Sequence, residues 1–144
     1  MEQEQAKQTA HQFIDALHKL EGGSDADVDD MVRLFSADAR LTNAALNGKE
    51  LSGPDGARQF WSEYRKTFGE VRSEFSHVIV DAHAAGLFWR TEGTGRDGQP
   101  VGYDGVSLLE WAEDGKIKFF RGYYDTRELS REIGVEQGPV TTQG

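Results

Sequence analysis

Near residue 70 the apolar residues of this 144-residue chain change their repeat, from the three-to-four spacing of helices to the alternation of strands. A chain that switches once in this way builds helices first and then one long-stranded sheet, an α+β layout in which the helices must cover one sheet face. Upstream of the switch, Phe13, Ile14, Leu17 and Leu20 recur at helical spacing from Ala10 onward, and Gly22-Gly23 stop that helix. Ser24 or Asp25 caps a second helix with Val28, Met31, Val32 and Phe35 inward, its positive end crowded by Asp25, Asp27, Asp29 and Asp30. Residues 39–43 read as a short strand, followed by loop punctuation at Asn47-Gly48 and Ser52-Gly53-Pro54. Pro54 opens a third helix that presents Ala57, Phe60, Trp61, Tyr64 and Phe68 on one face and stops at Gly69.

Downstream, segments 71–82, 85–94, 101–112 and 116–126 are rich in β-branched and aromatic residues. Asp97-Gly98 and Asp114-Gly115 are tight-hairpin signals, so the last three strands form an antiparallel meander. Residues 126–133 are expected to add a closing helical turn, residues 137–144 a mobile tail, and 1–136 a single domain. A strongly twisted sheet under a helical lid encloses a cone, and a cone that is not packed solid offers an apolar pocket with a few polar groups.

Charge and composition narrow the function. Sixteen basic residues against 25 acidic give a net charge of -9, which repels nucleic acid and anionic membrane surfaces. There is no cysteine, which removes disulfides, thiolate metal sites and thiol nucleophiles, and fits a cytoplasmic location. His11, His18, His77 and His83 lack metal-ligand spacing, and Gly93-Thr94-Gly95 precedes no helix that could seat a phosphate, so neither a metal nor a nucleotide cofactor is expected.

Several short motifs occur together in order: Leu34-Phe35-Ser36-Ala37-Asp38-Ala39, Gly53-Pro54-Asp55-Gly56-Ala57, Trp89 followed by Gly93-Thr94, and Tyr123-Tyr124-Asp125. On these the chain resembles the SnoaL-like branch of the nuclear transport factor 2-like superfamily. The resemblance implies a cone-shaped barrel, a strongly curved and mainly antiparallel sheet covered by three N-terminal helices. It further implies pairing through the sheet as a homodimer, and a pocket used by polyketide cyclases, ketosteroid isomerase-like enzymes and epoxide hydrolases. The closing segment, Arg121 through Leu129, is similar to limonene epoxide hydrolase, in which the aspartate is catalytic. That similarity sets Asp125 with Arg90 and Glu92 in the position of an Asp-Arg-Asp arrangement, and Asn43 as a water-holding residue. Two positions depart from the motif, Glu92 for an aspartate and Leu41 for a tyrosine.

The chemistry of the residues gives its own candidates. Asp125 ends a strand dense in aromatics, where desolvation would raise its pKa and suit it to acid/base work; it also stands where an N-cap would. Arg90 and Glu92 share one strand face and Trp89 the other, so only one set can line the cone. His77 alternates with Phe75 and Ile79 and could serve as a second proton carrier or as a core histidine. Tyr123, Trp89, Trp61, Tyr64 and Asp104 complete the set as ligand contacts. The expected partner is a small apolar molecule carrying a few oxygens. The expected activity is epoxide hydrolase-like proton transfer, with an isomerase- or cyclase-like enzyme and a non-catalytic binding or dimerisation module as alternatives.

Overall fold

A computed structural model describes residues 1–127, so the calls on 128–133 and on the 137–144 tail lie outside the described residues. Helix α1 spans Gln3–Gly22 and begins earlier than its apolar spacing first indicated, because Ala6 and Ala10 extend the buried stripe of Phe13, Leu17 and Leu20 by two turns. Helix α2, Asp25–Val32, starts where Ser24 donates its backbone N–H to the Asp27 carboxylate at 2.9 Å, so part of the acidic cluster is structural. Strand β1, Phe35–Asn43, is longer than residues 39–43 and buries Ala39 and Leu41 completely. A 3-10 turn at Ala44–Leu46 and a two-residue strand β2, Leu51–Ser52, lead into α3, Gly53–Lys66, with Pro54 in its first turn. Gly69 does not end this helix. It lies inside strand β3, Phe68–Val80, packed so tightly that a Cβ there would sit 2.8 Å from Thr94 Oγ1.

Strands β4 (Ala84–Gly95), β5 (Pro100–Trp111) and β6 (Ile117–Tyr124) continue from β3 as an antiparallel meander, and Gly98 and Gly115 take the positive φ their turns require. β6 then pairs parallel with β1, giving the order β2-β1-β6-β5-β4-β3. The ends β2 and β3 do not meet among the described residues, so the expected barrel is an open, strongly curved sheet. Register breaks within β3, near Phe68–Val71 and Phe75–His77, are the bulges that bend such a strand. No helix among the described residues is long and apolar enough to cross a membrane.

Two apolar clusters form on the concave side. The larger joins α1, α2 and α3 to β1, β4, β5 and β6 around Phe13, Trp61, Leu87 and Phe120, and the smaller gathers Phe68, Val71, Val101 and Tyr103. Tyr64 packs against both. The seam between them is kept open by close backbone approach at Gly105, where a Cβ would lie 2.3 Å from the Trp89 ring and 2.6 Å from the Tyr123 carbonyl oxygen. Gly105→Ala should therefore cost about 2 kcal/mol through displaced indole and strand, read as a lower urea midpoint at unchanged slope.

Candidate functional site

Strand pairing decides which side chains face the seam. Ser73, Thr91 and Tyr103 stand in one row across β3, β4 and β5, and Trp89 and Tyr124 flank Gly105 in the next. From above, α1 lowers Phe13 and Leu17, and α3 lowers Phe60, Trp61 and Tyr64. The space they enclose is a cavity of about 50 Å³. At roughly 10–15 Å³ per water this holds about four waters, or one molecule of a few heavy atoms.

The walls are aromatic and set at angles to one another. Trp89, Tyr103 and Tyr124 form one trio, with Tyr103 edge-on to Trp89 and to Tyr124 at 5.3 Å each. Trp61 meets Phe60 at 4.9 Å, Phe120 at 5.1 Å and Tyr64 at 5.8 Å in similar T-shaped contacts. Edge-to-face packing satisfies the ring quadrupoles.

Two polar side chains of the lining, Tyr64 and Ser73, connect this apolar box to a buried carboxylate behind it. Glu21, in the last turn of α1, is only 4% exposed. Its carboxylate accepts the Tyr64 hydroxyl at 2.7 Å, the Ser73 hydroxyl at 2.6 Å and the Ser73 backbone N–H at 2.8 Å. Ser73 Oγ is also 2.7 Å from Thr91 Oγ1. Because the single Ser73 hydroxyl proton goes to Glu21, Thr91 donates to Ser73 and keeps its lone pairs for the cavity. Trp89 donates its indole N–H to Ser107 Oγ at 2.9 Å, and Asn43 Oδ1 accepts from Ala45 N–H at 2.9 Å. The Trp61 indole N–H, by contrast, is buried with no partner among the described residues. Behind Glu21 lies an open surface groove that His18, Ser73 and Phe75 also line.

The tyrosines report the dryness of the box. Burial, then the nearby Glu21 charge, pushes the Tyr64 hydroxyl well above its ordinary value. Burial likewise raises Tyr103, with Tyr124 and Glu21 adding to it, and pushes Tyr124 up to about 12. An unfolded chain releases these protons near pH 10, whereas the folded chain holds them, so the unfolded state binds fewer protons there. Stability should accordingly fall as pH rises past 10 and go on falling through about 12, visible as a lower urea midpoint at pH 11 than at pH 9. An unchanged midpoint would contradict this burial.

Of the residues singled out from sequence, Asn43, Trp61, Tyr64 and Trp89 line the cavity. The others lie elsewhere. With Trp89 inside, alternation sends Arg90 and Glu92 to the outer face, where Arg90 pairs with Glu92 at 3.3 Å and with Asp104 at 3.2 Å in solvent. Those contacts raise the Arg90 pKa, first through the Glu92 hydrogen bond. His77 is also outside, because the register break after Phe75 shifts it opposite Phe88 on the exposed side. Phe120, Gly122 and Tyr124 face inward on β6, so Tyr123 and then Asp125 fall on the outward phase. Tyr123 is 44% exposed beneath the Arg121 guanidinium. Asp125 accepts the Arg127 backbone N–H at 2.9 Å with its side chain 53% exposed, so the desolvation expected of it does not occur. Glu21, Ser73 and Thr91 were absent from the sequence candidates. The signal for Glu21 was its phase, four residues after Leu17 on the buried stripe. Among the described residues no cluster of three His, Asp or Glu could hold a metal ion.

Comparison with known proteins agrees with this architecture. No curated protein is significantly similar in sequence. A nuclear transport factor 2-like protein of unknown function from Burkholderia pseudomallei superposes with a TM-score of 0.77 at 19% identity, covering 90% of this chain and 97% of that one. A hypothetical protein with a ketosteroid isomerase-like fold from Catenulispora acidiphila, solved with trimethylamine, gives 0.73 at 14% identity over 90% and 97% of the two chains. A de novo designed protein with a curved β-sheet gives 0.66 at 23% identity over 88% and 90%. Likeness at these identities concerns the backbone alone, and the backbone does not fix a chemistry. The sequence model for the SnoaL-like domain matches residues 10–120. The chain belongs to the SnoaL-like domain family and has the nuclear transport factor 2-like fold.

Proposed function

We propose that the domain holds one small, largely apolar molecule carrying an oxygen, seated between the two aromatic walls. The observation that carries this reading is the Trp61 indole N–H, buried with no acceptor among the described residues on a side chain that lines the cavity. A buried donor without a partner is costly, and a ligand oxygen would satisfy it.

Where the bound molecule reacts, proton transfer is the chemistry at hand, and it needs no cofactor. The Tyr64 hydroxyl can pass its proton to the Glu21 carboxylate as its oxygen takes one from the ligand, and the reverse shift returns a proton to another ligand atom, the arrangement of an isomerase- or cyclase-like enzyme. An epoxide hydrolase-like reaction would need Asp125, Arg90 and Glu92 at the cavity. Their outward positions make it the weaker reading. Pairing of two copies through the outer sheet face is part of the same proposal. It is supported by the transverse row His77, Phe88, Val106 and Tyr123, in which Phe88 is 38% exposed, and by Ile79 beside it at 62%.

A thermal-shift panel of small ketones, alcohols and epoxides tests the site, since binding to the folded state raises the melting temperature. At least one oxygenated compound should raise it in the wild type and in Asp125→Asn alike, and fail to do so in Trp61→Phe. A shift that disappears in Asp125→Asn and persists in Trp61→Phe would overturn the assignment. Sedimentation of the wild type against Phe88→Lys tests the pairing.

A further inference from the structure

We propose that the surface groove between the last turn of α1 and strand β3 binds a protonated primary amine, an ammonium group carried on an apolar body. This groove is a second site, separate from the aromatic cavity, and it does not need the cavity to be filled.

Room is the first reason. The groove offers about 550 Å³ against about 50 Å³ in the aromatic cavity, and of the two it is the groove that falls in the range of roughly 300–1,000 Å³ typical of ligand pockets. Val71 and the Phe75 ring, which meets the His18 ring edge-on at 5.9 Å, give it an apolar wall.

Charge is the second reason. Val71, Ser73 and Phe75 alternate to the inner face of β3, which sends Arg72 and Glu74 to the outer face. There the two pair with each other at 3.2 Å, their side chains 78% and 73% exposed, so the Arg72 charge is answered on the far side of the sheet. On the inner side Glu21 and His18 serve one residue of the edge strand. Glu21 Oε1 accepts the Ser73 N–H at 2.8 Å, and His18 Nε2 lies 2.9 Å from the Ser73 carbonyl oxygen. A carbonyl only accepts, so Nε2 carries the proton and the neutral ring keeps a lone pair on Nδ1.

Glu21 is withdrawn from water, yet its three donors are all neutral and it forms no ion pair among the described residues. Of the roughly four acceptor positions of a carboxylate, two on Oε2 are taken by hydroxyls and one on Oε1 by an N–H, which leaves one on Oε1 open. Neutral dipoles recover only part of the hydration a buried charge gives up, and a cation completes it. The end of α1 adds to this, because its C-terminal carbonyls carry partial negative charge and Lys19, the basic residue of that turn, does not line the groove. A primary ammonium, with three donors, matches the neighbouring acceptors of Glu21 and His18.

The test is calorimetric titration of the whole chain, at neutral pH, with benzylamine, its neutral isostere benzyl alcohol and the anion benzoate. Benzylamine should bind roughly tenfold more tightly than the alcohol, or better, and benzoate should not bind. Glu21→Gln should erase the preference, which separates the groove from the general attraction of an amine to a chain of net charge -9. Gly22→Lys keeps Glu21 and sets a competing ammonium beside the groove, at a position where a Cβ meets nothing within 4 Å. It should weaken benzylamine by a similar factor and leave the alcohol unchanged. Should Glu21→Gln not fold, Gly22→Lys decides. Absence of benzylamine binding, a wild-type ratio near one, a preference that survives in folded Glu21→Gln, or one that Gly22→Lys leaves intact overturns the assignment.

Discussion

Trp61→Ala should lower the stability of the domain by about 4 kcal/mol, a fall in melting temperature of about 8–16 °C for a chain of this size. The indole is 2% exposed and stands where α1, α3, β1 and β6 converge, with ring contacts to Phe13 at 5.7 Å, Phe35 at 6.2 Å and Phe60 at 4.9 Å. Truncation removes these contacts and leaves a hole between elements distant in sequence, which a rigid sheet cannot collapse to fill. Trp61→Phe keeps most of the ring packing and removes the unpartnered N–H, so it should cost much less. Urea unfolding of the two variants checks the order. Equal losses would mean that packing at Trp61 does not dominate its role.

Glu21→Leu should cost about 3 kcal/mol although it places an apolar residue on a buried stripe. The change removes the acceptor for the Tyr64 hydroxyl, the Ser73 hydroxyl and the Ser73 backbone N–H together. Each stranded buried donor is worth about 1–3 kcal/mol, more than the gain from the added hydrocarbon. Glu21→Gln retains one amide oxygen as acceptor and should lose roughly half as much. If Glu21→Leu proved neutral or stabilising, the network would be dispensable and its claim on function would go with it.

Much of this architecture was legible in residue order. The change of period near residue 70 separated helices from sheet, and the Asp-Gly pairs placed two hairpins whose glycines do take positive φ. Alternation alone could not decide between Trp89 and Arg90. The decision lies in the partner strand, where Gly105 leaves room for an indole and Asp104 offers a charge to the outside. The register break after Phe75 has no local signature, yet it moves His77 to the other face of the sheet. Asp125 looked desolvated because its neighbours in sequence are aromatic, but those rings alternate, and the carboxylate falls on their outward phase. Glu21 escaped notice for the converse reason. An acid beside Gly22-Gly23 reads as a frayed helix end, and only the tertiary partners Tyr64 and Ser73 turn it into a buried acceptor.

The most direct measurement follows the indole N–H resonances of the three tryptophans while acetone is titrated into nitrogen-15-labelled protein. Trp61 and Trp89 line the cavity, whereas Trp111 donates its N–H to the Asp81 carbonyl at 3.1 Å and does not line it. Saturable shifts of the Trp61 and Trp89 signals with Trp111 unmoved are the predicted result. Trp61 and Trp89 signals that stay fixed while other amides titrate would place the ligand elsewhere and contradict the account.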